Sequence, residues 1–315
     1  MTGTRTRVRA PAAGEPAPPP LAPGTRPAPG YEILRHLMRT GWLDLYDTWS
    51  EQRACRCVVK VVRPDRRDEA VPRARLLREG RWLCAFSHPH LVRGYETQEW
   101  PEPLVVLETL TGETLSHLVH RLRRRAAAGD VALLGVQLCS AVHYLHGQGL
   151  LHLDLKPSNV VVECAVPLPP PLGGPRRGGP PAAGGASAPP RAPPRARGGP
   201  LTAAADIWGI GVTLYEVASG DAPFDPRGTA EGTADGDHHR CPRLEVSAPP
   251  VGSRRRLPRA LAAAIDGCLA MDPSARPTVT ELAASLGAVL PAYGPRTPSC
   301  GHPGAGDVAT FPRPT

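Results

Sequence analysis

Three residues in the stretch Leu150–Val162, LLHLDLKPSNVVV, have the types and spacing to do chemistry. Asp154 is followed by Lys156 two positions on and by Asn159 five positions on. A carboxylate can accept or orient a hydroxyl proton. A lysine beside it can neutralise charge on a transferring phosphoryl group, and an amide oxygen can ligate a hard cation. The composition sharpens the signal: the chain has only two lysines, Lys60 and Lys156, among 37 Lys and Arg residues, and a single asparagine, Asn159. A chain so poor in both types places one of each in this loop. Phosphoryl transfer is the chemistry the trio fits. The bland alternative is an Asx-type turn leading into a strand.

Other segments must hold that loop. Tyr31–Leu37, Leu43–Trp49 and Cys55–Val62 read as short strands, and Cys57–Val62 is a β-branched run that carries one charge, Lys60. A helix is expected over about Val71–Phe86, with Leu76, Leu77, Leu83 and Phe86 on its apolar face and Glu79 mid-helix. Pro89 follows and restrains the residue before it from helix. Leu91–Tyr95 and Leu104–Glu108 read as strands, Leu115–Arg124 and Val131–His146 as helices; the latter carries Leu134, Leu138, Val142 and Leu145 at helical spacing. Helices are again expected from Thr202 to about Ser219, over Pro258–Met271 and over Val279–Leu290, with a long polar loop over residues 221–256. Strands with one helix come first and helices follow. The expected fold is α+β and two-lobed, with a small β-rich lobe over residues 31–110 and a larger helical lobe over 111–290.

Proline (40) and glycine (33) concentrate in residues 11–30, 165–200 and 291–315, which leaves roughly 230 residues for a core, enough for one two-lobed domain. Residues 1–30 and 291–315 are therefore expected to be disordered, and 164–200 to be irregular, because proline lacks the donor that helix and sheet need. The net charge of +8 is an arginine excess, and with aromatics at 4% the interleaved basic and aromatic face of a nucleic-acid binder is missing. Cys55 and Cys57 have no second pair at zinc spacing, so reduced thiols are expected. The N-terminus lacks the apolar stretch of a signal peptide, and no run is read as long and apolar enough to span a membrane. A cytoplasmic protein without a membrane span is the expectation.

In the order of its markers the chain resembles the eukaryotic-like Ser/Thr protein kinases of bacteria, across roughly residues 31–290. Lys60, after Val59, is similar to the lysine of the third strand in that family, and Glu79 to its ion-pair partner on the first helix. Leu107-Glu108-Thr109-Leu110 resembles the hinge, which puts Glu108 and Leu110 at the ATP site. Asp154, Lys156 and Asn159 resemble the catalytic base, the γ-phosphate lysine and a metal-binding asparagine. Asp206, in Asp206-Ile207-Trp208-Gly209, resembles the anchor of the buried helix of the large lobe, and Arg276 the arginine of its closing helices. The resemblance implies ATP and Mg²⁺ as cofactors and a protein Ser/Thr hydroxyl as acceptor. It implies no nucleic acid and leaves the oligomeric state open.

Three departures from that family stand out. Leu153 occupies the place of the arginine that commonly reads activation-loop phosphate, so such a switch is not expected. Met38, Thr40 and Leu43 fall where the glycine-rich loop carries its glycines; only Gly41 lies nearby. The window that should carry the metal aspartate and the Pro-Glu closing the activation segment has no Asp or Glu between Glu163 and Asp206. Its length suits an activation segment while its composition is foreign. Two readings stay open: a reading-frame slip out and back in a GC-rich gene, or a Pro-rich replacement that makes the chain a pseudokinase.

Overall fold

A computed structural model describes residues 17–99, 101–122, 125–162, 201–224 and 247–290. The expectations for residues 1–16, 164–200 and 291–315 lie outside these.

Five antiparallel strands form the first part: β1 (Tyr31–Arg39), β2 (Leu43–Ser50), β3 (Cys55–Val62), β4 (Gly94–Gln98) and β5 (Leu104–Glu108), in the order β1-β2-β3-β5-β4. The run Cys57–Val62 has apolar residues on both faces because both faces are covered. On one face Cys57, Val59 and Val61 join Ile33, Tyr46, Leu104 and Val106. On the other, Val58 and Val62 meet Leu76, Val105 and Leu107, under helix α1 (Ala70–Ala85). Lys60 belongs to this second face, since side chains alternate along a strand.

The cover on the first face corrects the expectation of disorder up to residue 30. Ala28 is buried and bridges Tyr31. Gly24 and Thr25 exchange backbone hydrogen bonds with Ile33 at 2.8 and 2.9 Å. The Leu21 amide donates to the Tyr46 hydroxyl at 2.9 Å, and Arg39 donates to the Pro18 carbonyl at 2.6 Å. Residues 17–30 thus lie as a strap across a sheet face that would otherwise be bare. Composition alone could not show this, because the strap contributes few apolar groups and its order comes from the sheet.

The helical part holds α2 (Leu115–Leu122), α3 (Ala128–Gly147), α4 (Ala204–Ser219), α5 (Val251–Arg254), α6 (Arg259–Cys268) and α7 (Val279–Gly287). Helix α4 is apolar nearly all round and nearly all buried, as a helix at the centre of a core must be. Thr278 and Glu281 close a capping box that starts α7. The short α5 falls inside the stretch read as polar loop; Val251 is fully buried, and the Asp266 carboxylate accepts from its amide at 2.8 Å. Strand β4 starts three residues later than expected: a turn from His88 closes at Leu91, and pairing with β5 begins only at Gly94. Helix α3, at 20 residues and mean hydropathy 1.3, is after all long and apolar enough to cross a membrane. It carries Asp130 and packs Val131, Ala132, Leu138, Cys139 and Val142 into the same core as α4 and α7, which is the reading of a core helix.

A two-stranded ribbon, β6 (Glu113–Thr114) with β7 (Val161–Val162), ties the chain after the hinge to the end of the catalytic stretch. Gly112 permits it: a Cβ there would run into the Val162 carbonyl.

Candidate active site

The loop from Leu150 to Asn159 has little regular structure and is held from below by one residue. Asp206, 1% exposed in the first turn of α4, accepts from the amides of His152 at 2.9 Å and Leu153 at 2.7 Å. It also pairs with His146 Nε2 at 2.9 Å. Leu153 sits at φ +62°, in the left-handed region that a leucine avoids. The carboxylate that grips its N–H holds it there. Gly209, one turn further along α4, lets the loop sit close: a Cβ there would be 2.7 Å from Leu155 Cβ. Burial pushes the His152 imidazole below its ordinary range, so it is neutral near pH 7; its Nδ1 then accepts from the Asp154 amide at 3.3 Å.

On this base the predicted trio comes together. Lys156 Nζ lies 3.1 and 3.2 Å from the two Asp154 carboxylate oxygens. Asn159 Nδ2 donates to Asp154 Oδ2 at 2.8 Å and to the Asp154 carbonyl at 2.9 Å. Both N–H groups of that amide are then used, and its Oδ1 is left as an acceptor. The Asp154 side chain is 47% exposed, as a group that must meet a substrate has to be.

Lys60 Nζ meets Glu79 Oε1 at 2.6 Å, joining β3 to α1 as the family resemblance implies. Val58, two residues before Lys60 on the same face, packs partly buried against Val62, Leu76, Val105 and Leu107. At the hinge the Glu108 carboxylate accepts from the Arg93 amide at 2.8 Å, so its side chain serves its own strand. Any nucleotide contact of Glu108 therefore falls to its backbone. Leu110 is 42% exposed, and its N–H donates no hydrogen bond among the described residues.

Arg276 is a buried anchor. It donates to the carbonyls of Ala270, Ala204 and Met271 and stands 4.7 Å from the centroid of the Trp208 ring, which stacks on Phe224. Three backbone carbonyls and the indole face thus hold the guanidinium. Two contributors escaped the sequence reading. His146 is 60 residues from Asp206, and no local pattern marks the pair. Trp42, at the β1–β2 turn, carries no sequence signal of its own beside the poor glycine-rich segment around it.

The model of the protein kinase domain matches residues 44–166 and 187–286. The chain belongs to this family. The interruption, residues 167–186, falls inside the Pro/Gly-rich window. Among similar proteins, the Ser/Thr kinase PknB of Mycobacterium tuberculosis is 28% identical over 242 residues, 72% of this chain and 38% of PknB. A DNA damage-responsive Ser/Thr kinase of Deinococcus radiodurans, RqkA, is 31% identical over 218 residues, 65% of this chain and 32% of RqkA. The chain spans about a third of the length of these curated relatives. The crystal structure of the PknI kinase domain of M. tuberculosis superposes with a TM-score of 0.63 at 20% identity, covering 85% of this chain and 99% of that domain, and so shares the two-lobed fold.

Protein kinases generally use ATP and Mg²⁺. The groups that would meet the nucleotide fit: a paired lysine on β3 and unpaired hinge backbone at Leu110. The groups for the cation do not. Asn159 Oδ1 and Asp154 are the oxygen donors in place, and no cluster of three His, Cys, Asp or Glu side chains occurs among the described residues. The sequence from 164 to 205 has no Asp or Glu to add, whereas Mg²⁺ is ordinarily bound by one or two carboxylates together with phosphates.

Proposed function

We propose that this chain is a protein kinase that transfers the γ-phosphoryl group of ATP to Ser or Thr hydroxyls of proteins. One observation carries the reading: the Lys60–Glu79 pair at 2.6 Å and the Asp154–Lys156–Asn159 knot are assembled at the same time, on opposite sides of the hinge. In this reading Lys60 orients the α- and β-phosphates and Glu79 keeps it in place. Asp154 accepts the acceptor hydroxyl's proton as the oxygen attacks phosphorus. Lys156, already at that carboxylate, offsets charge on the phosphoryl oxygens. Asn159 holds the Asp154 side chain in its rotamer through both amide hydrogens.

A second reading rests on a different observation, the absence of Asp and Glu from 164 to 205. It keeps nucleotide binding at Lys60 and the hinge, and the chain acts as a pseudokinase scaffold without transfer. One experiment separates the two. The purified chain and its Asp154→Ala variant are incubated with labelled ATP, a basic acceptor protein, and Mg²⁺, Mn²⁺ or EDTA. Transfer that Asp154→Ala abolishes supports the kinase. Absence of transfer together with an ATP-induced rise in melting temperature supports the scaffold.

A further inference from the structure

The turn between β1 and β2 is a built object. Thr40 N donates to the Leu43 carbonyl at 2.8 Å, and Thr40 Oγ1 accepts from Leu43 N at 3.0 Å. This closed turn presents Trp42 toward two other elements. The first is the chain leaving β3, three residues beyond Lys60: the Arg63 amide donates to the Trp42 carbonyl at 3.0 Å, and Arg63 Nη1 donates to the Thr40 carbonyl at 3.2 Å. The second is α1. The guanidinium of Arg75, one turn before Glu79, lies over the Trp42 ring 5.5 Å from its centroid, and that of Arg66, in the turn leading to α1, lies 5.0 Å from it. Arg66 Nε is buried with no hydrogen-bond partner, while its Nη1 donates to the Glu69 carboxylate at 3.1 and 3.3 Å, so the guanidinium is shared between the indole face and that carboxylate. Trp42 therefore touches the strand that carries Lys60 and the helix that carries Glu79.

We propose that Trp42 is a positioning residue for the nucleotide site: its ring, gripped by Arg66 and Arg75, fixes α1 against the end of β3 so that Glu79 stays on Lys60. The device suits this chain. Leu153 leaves it without the arginine that would tie helix position to a phosphorylated segment, and Leu43, Thr40 and Met38 make the β1–β2 turn poor at approaching phosphates. The turn's work is then to hold the helix. Aromatic faces attract guanidinium groups even when partly exposed, and two such contacts on one ring act together. The inference rests on the reading of Lys60 and Glu79 as the nucleotide pair, but the measurement that tests it needs no phosphate transfer.

The chain has only two lysines, so amine acylation reads the pair directly. The folded full-length protein is treated briefly with an N-hydroxysuccinimide ester, and labelling at Lys60 and Lys156 is quantified by peptide mass spectrometry. An ammonium group hydrogen-bonded to a carboxylate acylates slowly, and Glu79→Gln gives the rate of the released amine. Trp42→Ala should raise Lys60 labelling about fivefold toward that rate and leave Lys156 unchanged, while Trp42→Phe, which keeps a ring, stays near wild type. Arg75→Gln, on a surface side chain, should raise Lys60 labelling in the same direction and serves where Trp42→Ala does not fold. Wild-type labelling of Lys60 in folded Trp42→Ala or Arg75→Gln overturns the proposal. A rise that is equal at Lys60 and Lys156 also overturns it, since that is general loosening.

Discussion

At the scale of single residues, the chemistry is set by one carboxylate that never meets a substrate. Asp206 satisfies two loop amides and a histidine at once, and it keeps Leu153 in a conformation that leucine disfavours. Asp206→Ala should therefore lower stability by about 3 kcal/mol, because three part-buried partners lose a buried charged acceptor. Urea unfolding checks this, and a midpoint within error of wild type would show that the loop holds itself. Asp206→Asn, isosteric but with a single acceptor oxygen, should fall between the two. Lys60, Lys156 and Asn159 were legible in the sequence because their types are scarce, Asp154 because it stands two and five positions before the latter two, and Glu79 only through the family resemblance. His146 and Trp42 were not. Each works through a contact across the fold, and neither a histidine near the end of a helix nor a tryptophan in a turn announces its partner.

At the scale of elements, the unforeseen feature is the strap over residues 17–30. It covers Ile33, Tyr46 and Val61 with Leu21 and Ala28, and Arg39 joins it to Asp44 through a bidentate pair at 2.7 Å. Burial works to raise the Asp44 carboxyl, but Arg39 and His36 outweigh it and hold it below its ordinary range. Deleting residues 1–27 should cost about 2–4 kcal/mol through the apolar surface it bares, and it should lower the melting temperature by several degrees. An unchanged melt would mean that the strap only rests on the sheet. Tyr46→Phe, which removes the acceptor for the Leu21 amide, should cost about 1 kcal/mol. The strands, α1, α3 and α4 could be anticipated from periodicity because their apolar faces are written in their own residues. The strap could not, since its order is borrowed from the sheet, and β4 begins only at Gly94, after the turn that closes at Leu91.

At the scale of the molecule, the two parts meet through the hinge and through a small polar seam where α1 ends. The Tyr144 hydroxyl accepts from the Ser87 amide at 3.4 Å, His88 pairs with Ser140 at 3.1 Å, and Phe86 stands edge-on to Tyr144. Both parts carry buried acids of high proton affinity. Burial, then Glu96, pushes Tyr31 from 10.0 up to about 12. Burial, aided by Cys55, pushes Cys57 from 9.0 up to about 11, and burial alone pushes Cys139 up to about 12. Cys268 moves the same way. In each case the folded chain keeps a proton that the unfolded chain gives up first. Their contribution to stability is therefore complete below about pH 9 and is lost as pH rises from there toward 11 or 12, on the order of 3 kcal/mol for Tyr31 and Cys57 and 4 kcal/mol for Cys139. Arg276, lowered by burial to about 10, has the opposite sign: its protonated form is the one that folding disfavours, so its contribution grows above pH 10. The clean window is then pH 8–10, where the urea midpoint should fall with pH. Cys139→Ala, which has no thiol to ionise, should flatten that fall despite its own loss of packing. Parallel declines in the variant and the wild type would mean that this core thiol plays no part in the alkaline loss.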